Sequence, residues 1–266
     1  MKAFRQILAV CAFLMPLGAQ AQAPRLAEII DTQIRSGWQT SSGTHIAALN
    51  MRLAQDWMTY WRHPGESGLV PRLDWSGSQN VAQARILWPE PRLYMKAGFA
   101  SIGYSREVLL PIEVTPAQPG QPVKLDATLS VGVCNDICIP VDLSLQMDIK
   151  GTGRPDRAIA TAMESRPRAA RNAGLSAVSC TITPEKKGVR LSASLDLPSS
   201  GAQEFLLIEM PGVVVRSLPS QRTGDTLVGH GLIRSSAAQG INRSDIRFSI
   251  VSERGTLVHQ GCAISD

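Results

Sequence analysis

Along much of the chain apolar and polar residues alternate with a period of two, the signal of strands that bury one face. The longest such stretch runs from Val123 to Ile149. Going in, Val123, Leu125, Ala127, Leu129, Val131 and Val133 fall on one face, and Lys124, Asp126, Thr128, Ser130, Gly132 and Cys134 on the other. Coming out, Val141, Leu143, Leu145, Met147 and Ile149 face one side, and Asp142, Ser144, Gln146, Asp148 and Lys150 the other. Shorter alternations at Ala47 to Leu53 and Val108 to Val114 precede this hairpin, and Val189 to Leu197 and Ile246 to Ile250 follow it. Pro, Gly and Asn turns separate the strands, so the pattern predicts an all-β chain folded as two β-sandwich domains. Between them, Pro155 and the helically spaced Ala158, Ile159, Ala162 and Met163 predict a short linker helix that stops before Pro167.

Aromatic usage supports the division. All five tryptophans and all three tyrosines precede residue 105, whereas the last hundred residues hold only Phe205 and Phe248. Two cores of different make-up are expected, a first domain over 24–150, a linker over 151–173 and a second domain over 174–266. Ahead of them, Lys2 and Arg5, an apolar run from Ile7 to Leu17 and a small-residue site ending at Ala21 read as a secretory signal peptide over 1–21. No later segment reaches the roughly 18 to 20 apolar residues that span a bilayer, so no stable membrane insertion is expected after export. Without Lys2 and Arg5 the balance is 25 basic to 22 acidic residues, too mild for a nucleic-acid partner.

An exported chain meets an oxidising compartment, which draws attention to Cys134, Cys138, Cys180 and Cys262, the cysteines left once the leader is cut. Strand parity places Cys134 and Cys138 at one hairpin tip, off the core face. If Asn135, Asp136 and Ile137 form a three-residue loop, the two cysteines are directly opposed with Cα atoms about 4.5 to 5.5 Å apart, close enough for a disulfide. Such a bridge is a poor staple. Closing about five residues contributes about 2 kcal/mol in the loop-entropy model, against about 4 to 5 for a Cys180 to Cys262 bridge. Exchange chemistry at Cys134 and Cys138 is therefore favoured over a staple or a metal site, and a buried structural disulfide is favoured for Cys180 and Cys262. Asp136 lies between the first two cysteines and the loop has no basic residue, so the thiol is expected near or above its free value of about 8.5.

Several motifs resemble a known family. WMTYWRHPGESG from Trp57 to Gly68, DWSGSQNV from Asp74 to Val81, Trp88-Pro-Glu-Pro91, Ile102-Gly-Tyr104, Leu110-Pro111 and CNDICIP from Cys134 to Pro140 follow the order seen in the N-terminal periplasmic domain of DsbD thiol:disulfide interchange proteins, ScsB-like branch. The resemblance covers about residues 27 to 150 and implies immunoglobulin-like sandwiches. It implies a protein-disulfide oxidoreductase component that takes electrons from a membrane-embedded thiol transporter and passes them to periplasmic thioredoxin-like proteins, without a cofactor. By position it makes Cys138 the cysteine that joins partners and Cys134 the resolving one. Tyr60 is implied as an aromatic beside the pair, and the stretch from Tyr94 to Phe99 as a loop capping it. Well-known members have five residues between the cysteines where this chain has three. The resemblance does not reach the family's membrane domain or thioredoxin-like domain, so electrons and targets are expected to come from separate chains.

Other candidates are weaker. His63 sits among Pro64, Gly65 and Gly68 and reads first as a loop former. His45, His230 and His259 show no ligand spacing. The tryptophans read as core before they read as a stacking platform. Two rival functions remain: a Cu(I) binder using Cys134, Cys138 and a methionine, and an interaction scaffold with structural disulfides only.

Overall fold

The computed structural model describes residues 25–96, 98–234 and 241–264; the expected signal peptide lies outside them. After one helical turn, α1 (Leu26–Ile29), come β1 (Ile30–Gln39), β2 (His45–Leu53), β3 (Met58–Gly65), β4 (Arg72–Asp74), β5 (Val81–Ile86), β6 (Arg92–Lys96), β7 (Phe99–Ser105), β8 (Glu107–Pro116), β9 (Val123–Cys134) and β10 (Cys138–Ile149). Among the described residues they form two sheets, ordered β1-β2-β8-β5 and β10-β9-β3-β7-β6, with β4 also on β9. Leu49, Met51, Leu110 and Ile112 of one sheet meet Trp61, Ile102, Leu125, Leu129 and Leu145 of the other in one buried cluster. The architecture is the all-β, immunoglobulin-like sandwich that the alternation and the resemblance predict.

The linker helix α2 (Arg157–Glu164) begins two residues after Pro155, because the Asp156 carboxylate accepts hydrogen bonds from Ala158 N and Ile159 N and so caps it. Its Ile159 is fully buried with Ile46, Ala48 and Leu87. Burial of one such side chain is worth about 1.5 to 3 kcal/mol, enough to hold a two-turn helix in place. This explains a departure from the alternation: β2 is buried on both faces because α2 covers the side that carries Ile46 and Ala48.

Beyond α2 lie β11 (Arg168–Ala169), β12 (Ala177–Glu185), β13 (Gly188–Asp196), β14 (Glu204–Glu209), β15 (Val215–Ser217), β16 (Gln221–Thr223), β17 (Thr226–Arg234), β18 (Arg247–Ser252), β19 (Gly255–Gln260) and β20 (Ala263–Ile264). Their sheets run β11-β19-β18-β14 and β15-β17-β13-β12-β20, with β16 on β17. Leu206, Ile208, Phe248 and Ile250 pack against Leu191, Leu195, Leu227 and Ile233 between them. Cys180 and Cys262 are bonded across a separation of 82 residues. Cys180 is buried as expected, but Cys262 stands just before β20 rather than in it and is half-buried.

The two cores are not separate, as the aromatic division had suggested. Phe205, Leu207 and Val251 join the first cluster while their strand neighbours Leu206, Ile208 and Ile250 join the second. Strands β14 and β18 are thus buried on both faces, which the uninterrupted run Phe205 to Ile208 fits better than alternation would. Arg62 completes the junction: its Nε and Nη2 donate to the Glu209 carboxylate at 2.9 and 3.1 Å, and Nη2 donates to Ser249 Oγ at 3.1 Å. The guanidinium carbon is 3.8 Å from the Trp61 ring centroid, a cation–π contact. Farther along, Thr256 N donates to Glu90 at 2.6 Å.

Burial would push the Glu209 carboxyl up, but hydrogen bonds from Arg62 and its charge, with help from Ser249 and His63, hold it below its ordinary value. His63 is pushed down by burial, pulled partly back by Glu209 and a Val215 backbone hydrogen bond, and pushed down again by Arg62. In both cases the unfolded chain takes up its proton first as the pH falls. The His63 contribution is therefore lost as pH drops below about 6.5, and that of Glu209 as it drops below about 4.3. Urea midpoints measured from pH 7 to 3 should fall more steeply for the wild type than for Glu209→Gln below pH 4.5; parallel curves would contradict this. Replacing both Cys180 and Cys262 by serine should cost about 2 to 5 kcal/mol in urea unfolding, against about 2 or less for Cys134 and Cys138. Equal losses would show that the long bridge is not the staple.

Candidate redox site

Strands β9 and β10 pair without a break from Val123↔Ile149 to Cys134↔Cys138, leaving Asn135, Asp136 and Ile137 as the loop. Asn135 N donates to the Ile137 carbonyl at 3.0 Å. The next pair, Cys134 with Cys138, is therefore a non-hydrogen-bonded one, where cross-strand Cα atoms come closest. They are 4.1 Å apart and the sulfurs are bonded, somewhat closer than the sequence-based expectation because the tight loop adjoins this narrow pair. Two residues on, Pro140 faces Gly132 at the next non-hydrogen-bonded pair. There an N–H would point to the open edge of the sheet, so proline costs no ladder bond and blunts that edge.

The two cysteines are not equivalent. Cys138, on edge strand β10, is exposed, whereas Cys134 retains 3 % of its accessible surface. Parity places both off the core, as the alternation predicts, but not both in solvent. The reason is lateral: β9 is flanked by β10 and by β3, whose Met58 pairs with Cys134. Thr59 Oγ1 ties the same two strands together by donating to the Gly132 carbonyl at 2.9 Å.

Tyr60, next along β3, projects on the cysteine side and is itself buried. Its hydroxyl is 3.5 Å from Cys138 Sγ. A disulfide sulfur carries no proton, so the phenol donates. Burial pushes the phenol pKa above its ordinary value, which keeps that proton in place. Two glycines make room for the ring. A Cβ on Gly132 would lie 3.2 Å from Tyr60 Cδ2 and one on Gly68 2.4 Å from Cε1, while one on Gly103 would meet the β3 backbone, 3.0 Å from Tyr60 Cα. Gly68 also has φ +120°, a backbone that side chains resist. The sequence marked Gly68 only as part of a loop; its spacing on the Tyr60 ring was not visible there. In the same loop His63 Nδ1 accepts from Gly65 N at 3.2 Å, as a loop former would.

The remaining predicted residues are placed as follows. Asp136 is exposed between the cysteines. Tyr94 pairs with Ser101, and its hydroxyl donates to Ser105 Oγ at 2.9 Å; Ser105 pairs with Met58, which pairs with Cys134. Phe99 pairs with Lys96 at the end of the β6–β7 hairpin and is 53 % exposed. Register puts Tyr94 and Phe99 on the Tyr60 side of the sheet. Ile137, at 57 %, and Leu69 and Val70, at 41 and 51 %, add exposed apolar surface around the pair. Among the described residues no group of three or more His, Cys, Asp or Glu could hold a metal, and no helix is long and apolar enough to cross a membrane.

Comparison with known proteins gives one family. The model of the N-terminal domain of the thiol:disulfide interchange protein DsbD matches residues 28–148. The crystal structure of the N-terminal periplasmic domain of ScsB from Proteus mirabilis superposes with a TM-score of 0.63 at 24% identity, covering 90% of this chain and 93% of that one. The reduced DsbD N-terminal domain of Neisseria meningitidis aligns at 17% identity over 50% of this chain and 95% of that one, with a TM-score of 0.28. No curated protein sequence matches. The ScsB superposition extends the shared fold over both sandwiches, and the family match falls on the sandwich that carries the cysteine pair. Residues 28–148 thus match the DsbD N-terminal domain family, and the fold over both sandwiches is that of the ScsB N-terminal periplasmic domain.

Proposed function

We propose that the protein is a thiol/disulfide exchange module of the bacterial periplasm, relaying electron pairs from a membrane-embedded thiol transporter to periplasmic thioredoxin-like proteins. The observation that carries this reading is the asymmetry of the pair: an exposed Cys138 bonded to a buried Cys134. The family match and the leader-like N-terminus support the setting. Residues 24–150 act as the redox domain and 174–266 as a second sandwich behind it.

A donor thiolate attacks Cys138 Sγ, the sulfur on the exposed residue of the pair. The Cys134–Cys138 bond breaks, Cys134 leaves as thiolate, and a mixed disulfide forms on Cys138. The donor's second thiolate then attacks its own bridged sulfur, releasing Cys138 as thiolate and the donor as a disulfide. Two electrons have moved. In the second half-reaction the Cys138 thiolate attacks a target disulfide, and Cys134, held opposite it, attacks Cys138 Sγ and frees the reduced target. Tyr60 stands where its hydroxyl can donate to the Cys138 thiolate, and Tyr94 and Phe99 shield the same face. No cofactor takes part.

A Cys134→Ser variant should accumulate a mixed disulfide with a thioredoxin-like protein in periplasmic extracts, seen as a reducible band on non-reducing gels, and Cys138→Ser should not. Absence of any such band, together with a wild-type bridge that survives millimolar glutathione, would sink the proposal in favour of a staple.

A further inference from the structure

We infer that the second sandwich positions the redox pair: Glu209 and Ser249, through Arg62, fix the part of β3 that holds Tyr60 against Cys138. This rests on the exchange function proposed above.

The argument starts from where β3 loses its neighbours. Toward β9 it is paired only at Met58 and Thr59. Toward β7 it is paired at Met58, Thr59 and Tyr60, and then not again until Gly65 meets Ser101. Five steps of β3 are thus set against two of β7, and residues 61 to 64 bulge out of the ladder. Tyr60 is the last residue in register with β7 before the bulge. A bulged strand re-aims its side chains, and its direction is only as well defined as whatever holds the extra residues.

What holds them comes from the other sandwich. Within the bulge Trp61 is fully buried in the first core. Arg62 lies over the Trp61 ring and reaches both oxygens of Glu209 on β14 and the hydroxyl of Ser249 on β18. Ser249 in turn donates to Glu209 Oε1 at 2.6 Å, closing the cluster. The paired guanidinium and carboxylate side chains keep 20 and 15 % of their surface, so the fork is largely out of water and geometrically demanding. Four consecutive residues therefore have four fixed ends: Tyr60 on the Cys138 sulfur, Trp61 in the core, Arg62 on the second sandwich, and His63 on the turn at Gly65. Glu209 and Ser249 touch neither sulfur; they are positioning residues.

The sign of the effect separates positioning from simple electrostatics. If Glu209 acted through its charge, removing it would ease ionisation of Cys138, and Gln and Ala would do so alike. If it acts by holding Tyr60, Glu209→Ala frees the bulge and withdraws the phenol from the thiolate, while Glu209→Gln keeps one oxygen that accepts from Arg62 and an NH2 that can donate to Ser249 Oγ.

The test uses the full chain, reduced, with the rate of iodoacetamide labelling at Cys138 followed by peptide mass spectrometry from pH 5 to 9. Glu209→Ala and Tyr60→Phe should each slow labelling at pH 7 by about threefold to tenfold, the scale of one net hydrogen bond. They should also raise the apparent Cys138 pKa. The double variant should be no slower than Tyr60→Phe alone, and Glu209→Gln should stay within twofold of wild type. Ser249→Ala gives the same comparison should Glu209→Ala not fold. A lower melting temperature with unchanged labelling would overturn the inference, as would faster labelling in both Gln and Ala variants or a Glu209→Ala effect that persists without Tyr60. Labelling needs no partner protein, so it can fail while partner trapping succeeds, and the reverse.

Discussion

The register of β9 against β10 governs the cysteine pair. Twelve consecutive residue pairs run from Val123↔Ile149 to Cys134↔Cys138, and each core-facing residue in β9 (Val123, Leu125, Ala127, Leu129, Val131, Val133) is buried. A slip of one residue would turn that whole apolar set to solvent, so burial along the ladder fixes which residues meet at its end. There the spacing of the loop leaves the two cysteines as a narrow, non-hydrogen-bonded pair. The disulfide is in this sense a consequence of hydrophobic packing up to some 35 Å away along the strand, at about 3.3 Å per residue.

Register alone would give a symmetric pair, and the chemistry needs an asymmetric one. Position in the sheet supplies the difference. Cys138 belongs to an edge strand, and Cys134 lies between that edge and β3. The Tyr60 ring fits over Gly132 in a slot also bounded by Gly68, which brings its hydroxyl to the Cys138 sulfur. The second sandwich is continuous with this arrangement, sharing Phe205, Leu207 and Val251 with the first core and holding Arg62 by a largely buried ion pair.

Local features of the fold were legible in the sequence. Alternation over Val123 to Ile149 carries the hairpin, its parity and the opposition of Cys134 and Cys138, because a period of two is a local property. Burial of Cys134 was not legible, since what flanks it, Met58, and what lies alongside, Tyr60, enter from β3, more than seventy residues away in sequence. Nor was the double burial of β2, where α2 supplies the second cover. The run Phe205 to Ile208 did carry a readable sign that β14 is covered on both faces. Arg62 and Glu209 look like ordinary surface charges in sequence; only the packing of two sandwiches makes them a pair.

The central claim is that Cys138 meets partners and Cys134 resolves. Fully reduced wild-type protein mixed with limiting oxidised glutathione, quenched in acid at intervals and peptide-mapped, tests it directly. The account predicts a transient glutathione adduct on Cys138 that decays as the Cys134–Cys138 disulfide appears at the same rate. An adduct that forms first on Cys134, or one on Cys138 that persists with no internal disulfide following, would contradict it.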